Sequence, residues 1–189
     1  MLKHGKFDEA AGPLLKALEL NPKDADTQLN LAFAYDRQGR IDEAILEYEK
    51  AVKLNPRNPI ARNNLGVLYD RTGRNDEAIH EFEKALEIDP QSVTGPENLE
   101  TAKKNQSQAQ ERDRQIAEAL KNVEAQPRDP RAAYSLARLY AAYGKKEQAL
   151  QWLEKSLKLG FNDIGYLKTD AALESLRDDP NYIWLLRGR

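Results

Sequence analysis

Three acidic doublets recur along the chain, Asp8-Glu9, Asp42-Glu43 and Asp76-Glu77. Paired carboxylates can serve acid/base catalysis when their surroundings push their proton affinities apart. These doublets return at a fixed interval, each where a helical pattern begins. Negative charge there suits the positive end of the aligned peptide dipoles, so a structural role is expected. His4 and His80 stand alone, and there is no cysteine. No second imidazole or thiolate at ligand spacing completes a metal site. No Gly-x-Gly-x-x-Gly or Gly-Lys-Ser/Thr loop offers a phosphate cradle, and Gly-x-Ser-x-Gly is absent. Lys103-Lys104 and Arg112/Arg114 are interleaved with Glu100, Glu111 and Asp113, which reads as a solvated helix face. No catalytic residue, metal or cofactor is expected, and the chain does not read as an enzyme. One set does carry recognition chemistry: Asn30, Asn64 and Asn98 are 34 apart and each precedes a leucine. A carboxamide offers donor and acceptor together, which suits the backbone of an extended peptide. The bland alternative is an asparagine tolerated on an exposed helix face.

The elements that position these residues follow the same period. Gly5, Gly39 and Gly73 are 34 apart, as are Ala10, Ala44 and Ala78, and Pro22, Pro56 and Pro90. Each unit reads as two helices. Leu31 and Tyr35 fall on one face of the first, and Ala44, Tyr48, Ala51 and Val52 on one face of the second. Gly39 lies between them, where a turn can use positive φ, and Asn55-Pro56 ends the second. Ala32 or Gly66 is expected to face Ala44 or Ala78, letting the helices approach closely, with Tyr48 and Phe82 filling the space between pairs. One pair cannot bury its apolar face alone, so neighbours must stack.

Composition agrees. The 189 residues carry 29 basic against 31 acidic side chains, a net charge of −2. That balance lacks the basic excess of a nucleic-acid footprint. No apolar run reaches the roughly 20 residues that span a bilayer, and no signal peptide is visible. A cytoplasmic protein with no nucleic-acid partner and no membrane insertion is expected.

The repeat resembles the tetratricopeptide repeat, a 34-residue helix–turn–helix with Leu-Gly, Tyr, Ala, Phe and Pro at fixed offsets. Residues 24–57 and 58–91 match strongly, and 1–23 match the second helix only. Residues 130–159 match again through Leu136-Ala137, Tyr140, Gly144, Ala149 and Leu153. Gln28, Arg62 and Ala133 stand where the family carries tryptophan. The resemblance implies an all-α, right-handed superhelix of antiparallel helix pairs whose first helices line the concave side. It makes Asn30, Asn64 and Asn98 similar to the asparagine ladder in the repeat domain of O-linked N-acetylglucosamine transferase. Leu29, Phe33, Arg37, Asn63, Val67 and Arg71 are expected to share that groove. The chaperone-tail clamp of other members needs a basic residue one position before Asn30, where Leu29 stands, so chaperone C-termini are disfavoured.

The array then becomes irregular. Ala149 follows Ala78 by 71 residues, two periods plus three. Glu100 replaces the small residue, Arg112 stands in the alanine position, and Ser107 replaces the glycine. Thr101 to Ala125 holds no proline or glycine and many good helix formers. One long helix, roughly Pro96 to Ala125, is preferred over a degenerate hairpin. Its middle, Lys103 to Gln115, should be solvated or lean on a second chain. After Gly160, short helices at Asp163–Lys168 and Ala171–Arg177 and a last one opened by Asp179-Pro180 are expected, with Tyr182, Ile183, Leu185 and Leu186 docking back. This ending resembles tails that close some bacterial repeat arrays. The expected organisation is an N-terminal array over 1–92, a degenerate repeat or connecting helix over 93–126, and a C-terminal repeat with capping helices over 127–189.

The expected function is a protein-interaction scaffold that holds a peptide or partner protein in its concave groove. The alternative is a docking or regulatory segment of a larger enzyme or sensor, since the first helix lacks its mate as if cut from a longer array. An open apolar face on Phe7–Leu20 (Ala10, Leu14, Ala17, Leu18) and the long helix both predict self-association as a homodimer.

Overall fold

The computed structural model describes residues 5–187; His4 lies outside them. Every helix and turn among the described residues is α or 3-10, with no strand. The chain divides into two compact units, 1–108 and 109–189.

In the first unit the helices are α1 (Gly5–Leu20), α2 (Ala25–Arg37), α3 (Ile41–Leu54), α4 (Pro59–Arg71), α5 (Asn75–Ile88) and the first part of α6 (Gly95–Ala125). Local chemistry sets their ends. The Asp24 carboxylate accepts from the backbone N–H groups of Asp26 and Thr27 at the start of α2, and the Asn58 carbonyl oxygen accepts from Ile60 and Ala61 at the start of α4. Such caps satisfy donors that the helix leaves unpaired. Gly39 and Gly73 both sit at φ +77°. There the following residue reaches back, Arg40 N–H to the Tyr35 carbonyl at 2.9 Å and Arg74 N–H to that of Tyr69 at 2.8 Å. This closes each first helix with a left-handed glycine turn.

The core of this unit joins Leu31, Ala32 and Tyr35 to Ala44, Ile45 and Tyr48, and Leu65, Leu68 and Tyr69 to Ala78 and Phe82. Ala32, Ala44 and Ala78 are fully buried. Gly66 is crowded by the ring of Phe82: a Cβ there would lie 2.7 Å from the ring. The missing family tryptophan is replaced by polar pairs that tie first helix to second. Gln28 donates to Glu47, both buried, and Arg62 bonds Glu81 at 2.6 Å with both side chains 13% exposed. In the last repeat the corresponding positions hold Ala133 and Trp152, an apolar pair with the bulk moved to the second helix.

α6 is a single helix of 31 residues. Its first part serves as a further first helix of unit one, with Ala102 buried in that core and Leu99 packed on it. Of the stretch Lys103 to Gln115, expected to be solvated or to lean on another chain, the first turn leans on α4 and α5 through polar contacts, while Ser107, Gln108, Gln110, Asp113 and Arg114 are exposed. Asn105 donates to Asp70 at 3.0 and 3.1 Å, Gln106 donates to Asp76, and Lys103 lies 3.0 Å from Glu83. Long polar side chains do here what apolar ones do elsewhere, which is why hydropathy alone left the segment without a partner.

The second unit begins inside α6 and continues with α7 (Pro130–Ala142), α8 (Lys146–Lys158), α9 (Ile164–Thr169), a 3-10 turn (Ala171–Leu176) and α10 (Pro180–Arg187). Val123 packs with Ala132 and Leu136, so the end of α6 acts as the helix before α7. Leu153 and Leu157 of α8 share a core with Leu167, Leu173, Leu176, Tyr182 and Leu186. Asp170 is buried and accepts from the Tyr134 hydroxyl at 2.5 Å and the Ala172 N–H at 2.9 Å; the Arg138 guanidinium lies 2.7 Å away. The Tyr182 hydroxyl donates to the Leu167 carbonyl at 2.6 Å. Tyr182 and Leu186 dock as expected, but Ile183 stays 36% exposed: in a helix of 8 residues only one stripe can face the core.

Candidate functional site

Adjacent first helices are stitched together by side chains 35 apart in sequence. Arg71 of α4 bonds Asp36 of α2 at 2.8 Å. Asn98 of α6 donates to Asn63 of α4 at 3.0 Å, and Asn105 bonds Asp70. Because the period is 34, these rungs bring equivalent faces of α2, α4 and the start of α6 side by side. Leu29, Asn30, Phe33 and Arg37 belong to the α2 face, Asn63, Asn64, Val67 and Arg71 to the α4 face, and Asn98 to the α6 face.

The three asparagines are not equivalent. Asn30 is exposed and has no hydrogen-bond partner among the described residues. Asn64 is half-buried and donates to the Tyr48 hydroxyl at 3.3 Å. Asn98 spends one amide hydrogen on Asn63. A second amide hydrogen and a carbonyl oxygen remain on Asn64 and Asn98. Leu29 and Val67 are half-buried against the core, while Phe33 is 43% exposed. Phe7 of α1 meets Phe33 edge-on at 5.9 Å, and the Arg37 guanidinium lies 5.6 Å from the Phe7 ring. Arg37 has no carboxylate partner among the described residues, whereas Arg71 does. Arg71 thus engages Asp36 and Asn105 engages Asp70, while Arg37 stands beside the Phe7 ring.

The carboxylate doublets go elsewhere. Glu43 pairs with Arg40 at 2.5 Å and Glu77 with Arg74 at 2.7 Å. The bond from Arg40 holds the Glu43 carboxyl below its ordinary range. The same arginines lie over aromatic rings, Arg40 on Tyr35 and Arg74 on Tyr69, each 4.1 Å from the centroid. Burial pushes the phenols of Tyr48 and Tyr69 far up, keeping both neutral. His80 is exposed. No group of three or more metal-ligating side chains exists among the described residues, and no helix among them is long and apolar enough to cross a membrane. Sequence reasoning overlooked Asp36, Asp70 and Asn105. The signal was present, since Asp36-Arg37 and Asp70-Arg71 repeat at 34.

Known structures share this architecture. A crystal structure of MamA is 23% identical, with 82% of this chain and 89% of that one covered at a TM-score of 0.53. MamA from residue 41 to its end, from Desulfovibrio magneticus RS-1, is 18% identical over 82% and 86% at 0.52. The first TPR domain of human RPAP3 is 24% identical over 57% and 84% at 0.53. These likenesses carry the fold alone. No curated protein matches the sequence. The sequence pattern of the tetratricopeptide repeat matches residues 2–54, 29–93 and 106–163. The chain therefore belongs to the tetratricopeptide repeat family, a scaffold fold typical of protein–protein interaction.

Proposed function

We propose that the chain is an interaction scaffold whose first unit holds an extended peptide segment of a partner protein along the face of α2, α4 and the start of α6. The observation that carries this reading is the set of inter-helix rungs, which merges three helix faces into one surface while Asn30 remains unsatisfied. Asn30 and Asn64 supply hydrogen bonds to a peptide backbone, and Asn98 extends the line. Leu29, Phe33 and Val67 provide apolar contact, and Arg37 donates to a carboxylate. Asn63 and Arg71 act mainly by holding neighbouring helices in register.

The test is to pan a phage-displayed random peptide library against the chain and titrate a recovered peptide. Asn30→Ala with Asn64→Ala should weaken it, each lost hydrogen bond contributing about 0.5–1.5 kcal/mol. Equal affinity for parent and variant, or a library that enriches nothing, would remove the groove from consideration.

A further inference from the structure

The last helix forms a ridge between two clefts of opposite charge. On one flank, Asn181, Trp184 and Leu185 border a cleft of about 290 Å³ against α8, where Leu150 forms the floor and Glu147 and Glu154 the rim. On the other flank, Ile183, Leu186 and Arg187 border a cleft of about 570 Å³ whose remaining charged wall is Lys168 and Arg177. At 3.6 residues per turn these two sets lie on opposite sides of α10. The open crest carries Trp184, 70% exposed, and Ile183, 36% exposed, with Arg187 between them at helical spacing. Glu147, Lys168 and Arg187 have no ion-pair partner among the described residues. Glu154 meets only the exposed Lys158, at 2.6 Å, and Arg177 reaches a backbone carbonyl, that of Asp170, at 3.3 Å.

We propose that this end of the chain is a self-association surface, on which two copies pair through α10 with the acidic cleft of each against the basic cleft of the other. A symmetric pair requires a surface complementary to itself. A twofold axis parallel to α10 exchanges left and right flanks across the interface. It therefore sets Glu147 and Glu154 of each copy opposite Lys168 and Arg187 of the other, and lays Trp184 against the opposing Ile183. Any other twofold in the interface that runs across the helix would face like charge with like. Exposed tryptophan flanked by polar groups is the usual anchor of such contacts. Leu14 and Leu18 of α1, expected on an open face, pack on the core; the apolar side chains that α1 exposes are Leu15 at 44% and Leu20 at 89%, and they carry no matching pattern that names a cover.

The test is light scattering of the full chain over a range of concentrations, with circular dichroism to verify that each variant folds. The parent should approach twice the 21.5 kDa of one chain as concentration rises, and added salt should reverse this. Glu147→Lys with Glu154→Lys should abolish association, as should Lys168→Glu with Arg187→Glu. Mixing the two reversed proteins should restore the double mass, because each then presents the charge the other needs. A parent that stays at one chain mass throughout would overturn the proposal. So would reversals that leave association intact, or a mixture that fails to pair. A dimer abolished instead by Leu20→Asp and untouched by these reversals would place the contact on α1.

Discussion

At the scale of single residues, small side chains and polar pairs set the helix spacing. Gly66 shows the first. Its absent Cβ leaves room for the Phe82 ring, which would otherwise be 2.7 Å away. Gly66→Ala is therefore expected to destabilise the first unit by about 1–3 kcal/mol, even though alanine favours helix over glycine. Gly66→Ala combined with Phe82→Leu should recover part of that loss. Thermal melts of both variants check this; an unchanged single variant would show that the ring yields freely. The polar pairs Gln28–Glu47 and Arg62–Glu81 fill the place of the family's tryptophan. Neither partner alone predicts the contact, but each is 19 residues from the other in both repeats.

At the scale of elements, glycine relieves the backbone in two ways. Gly39 holds φ at +77°, where a side chain costs roughly 1–2 kcal/mol. Gly12 sits inside α1 directly before Pro13, where a residue carrying a Cβ is disfavoured in the helical conformation by the proline ring. Gly39→Ala should thus lower stability by about 1–2 kcal/mol, while Gly12→Ala should fall short of the roughly 0.5–1 kcal/mol that alanine gains over glycine in a helix interior. Denaturant titration of the two variants measures both effects, and a full helix gain at position 12 or no loss at position 39 would contradict this account. α6 illustrates a further point. Its helix is continuous because good helix formers fill it and no glycine or proline interrupts it, yet its two ends belong to different cores.

At the scale of the whole molecule, two cores imply two separable stabilities. The second unit depends on Asp170. Burial pushes its carboxyl up, but the Tyr134 hydroxyl, the Ala172 N–H and Arg138 outweigh this and hold it below its usual range. A depressed folded-state value stabilises above the unfolded pKa and loses that contribution as pH falls through the folded one. The second unit should therefore weaken on acidification below about pH 4, with a shallower acid limb in Asp170→Asn. Asp170→Ala leaves the buried Tyr134 hydroxyl without its acceptor, at a cost of about 1–3 kcal/mol. Native-state hydrogen exchange in that variant should lose protection in α7, α8 and α10 while α2 to α5 keep theirs. Loss spread evenly over both units would mean that they unfold as one.

The sequence by itself determined the repeat, because a 34-residue period in Gly, Ala and Pro is a local, countable property that fixes turns, close contacts and helix ends. It also located the helix-forming stretch that became α6, since propensity and the absence of breakers act residue by residue. Tertiary structure decided what depends on distant partners. The period placed Asn30, Asn64 and Asn98 in equivalent positions, but Tyr48 and Asn63 made them unequal by engaging two of the three. Asp36 and Asp70 look like free charges until Arg71 and Asn105 arrive from the next helix. The same holds for the polar face of α6, which no hydropathy pattern assigns to a neighbour: a hydrogen bond needs a partner at about 3 Å, and only the packing of one repeat on the next brings it there.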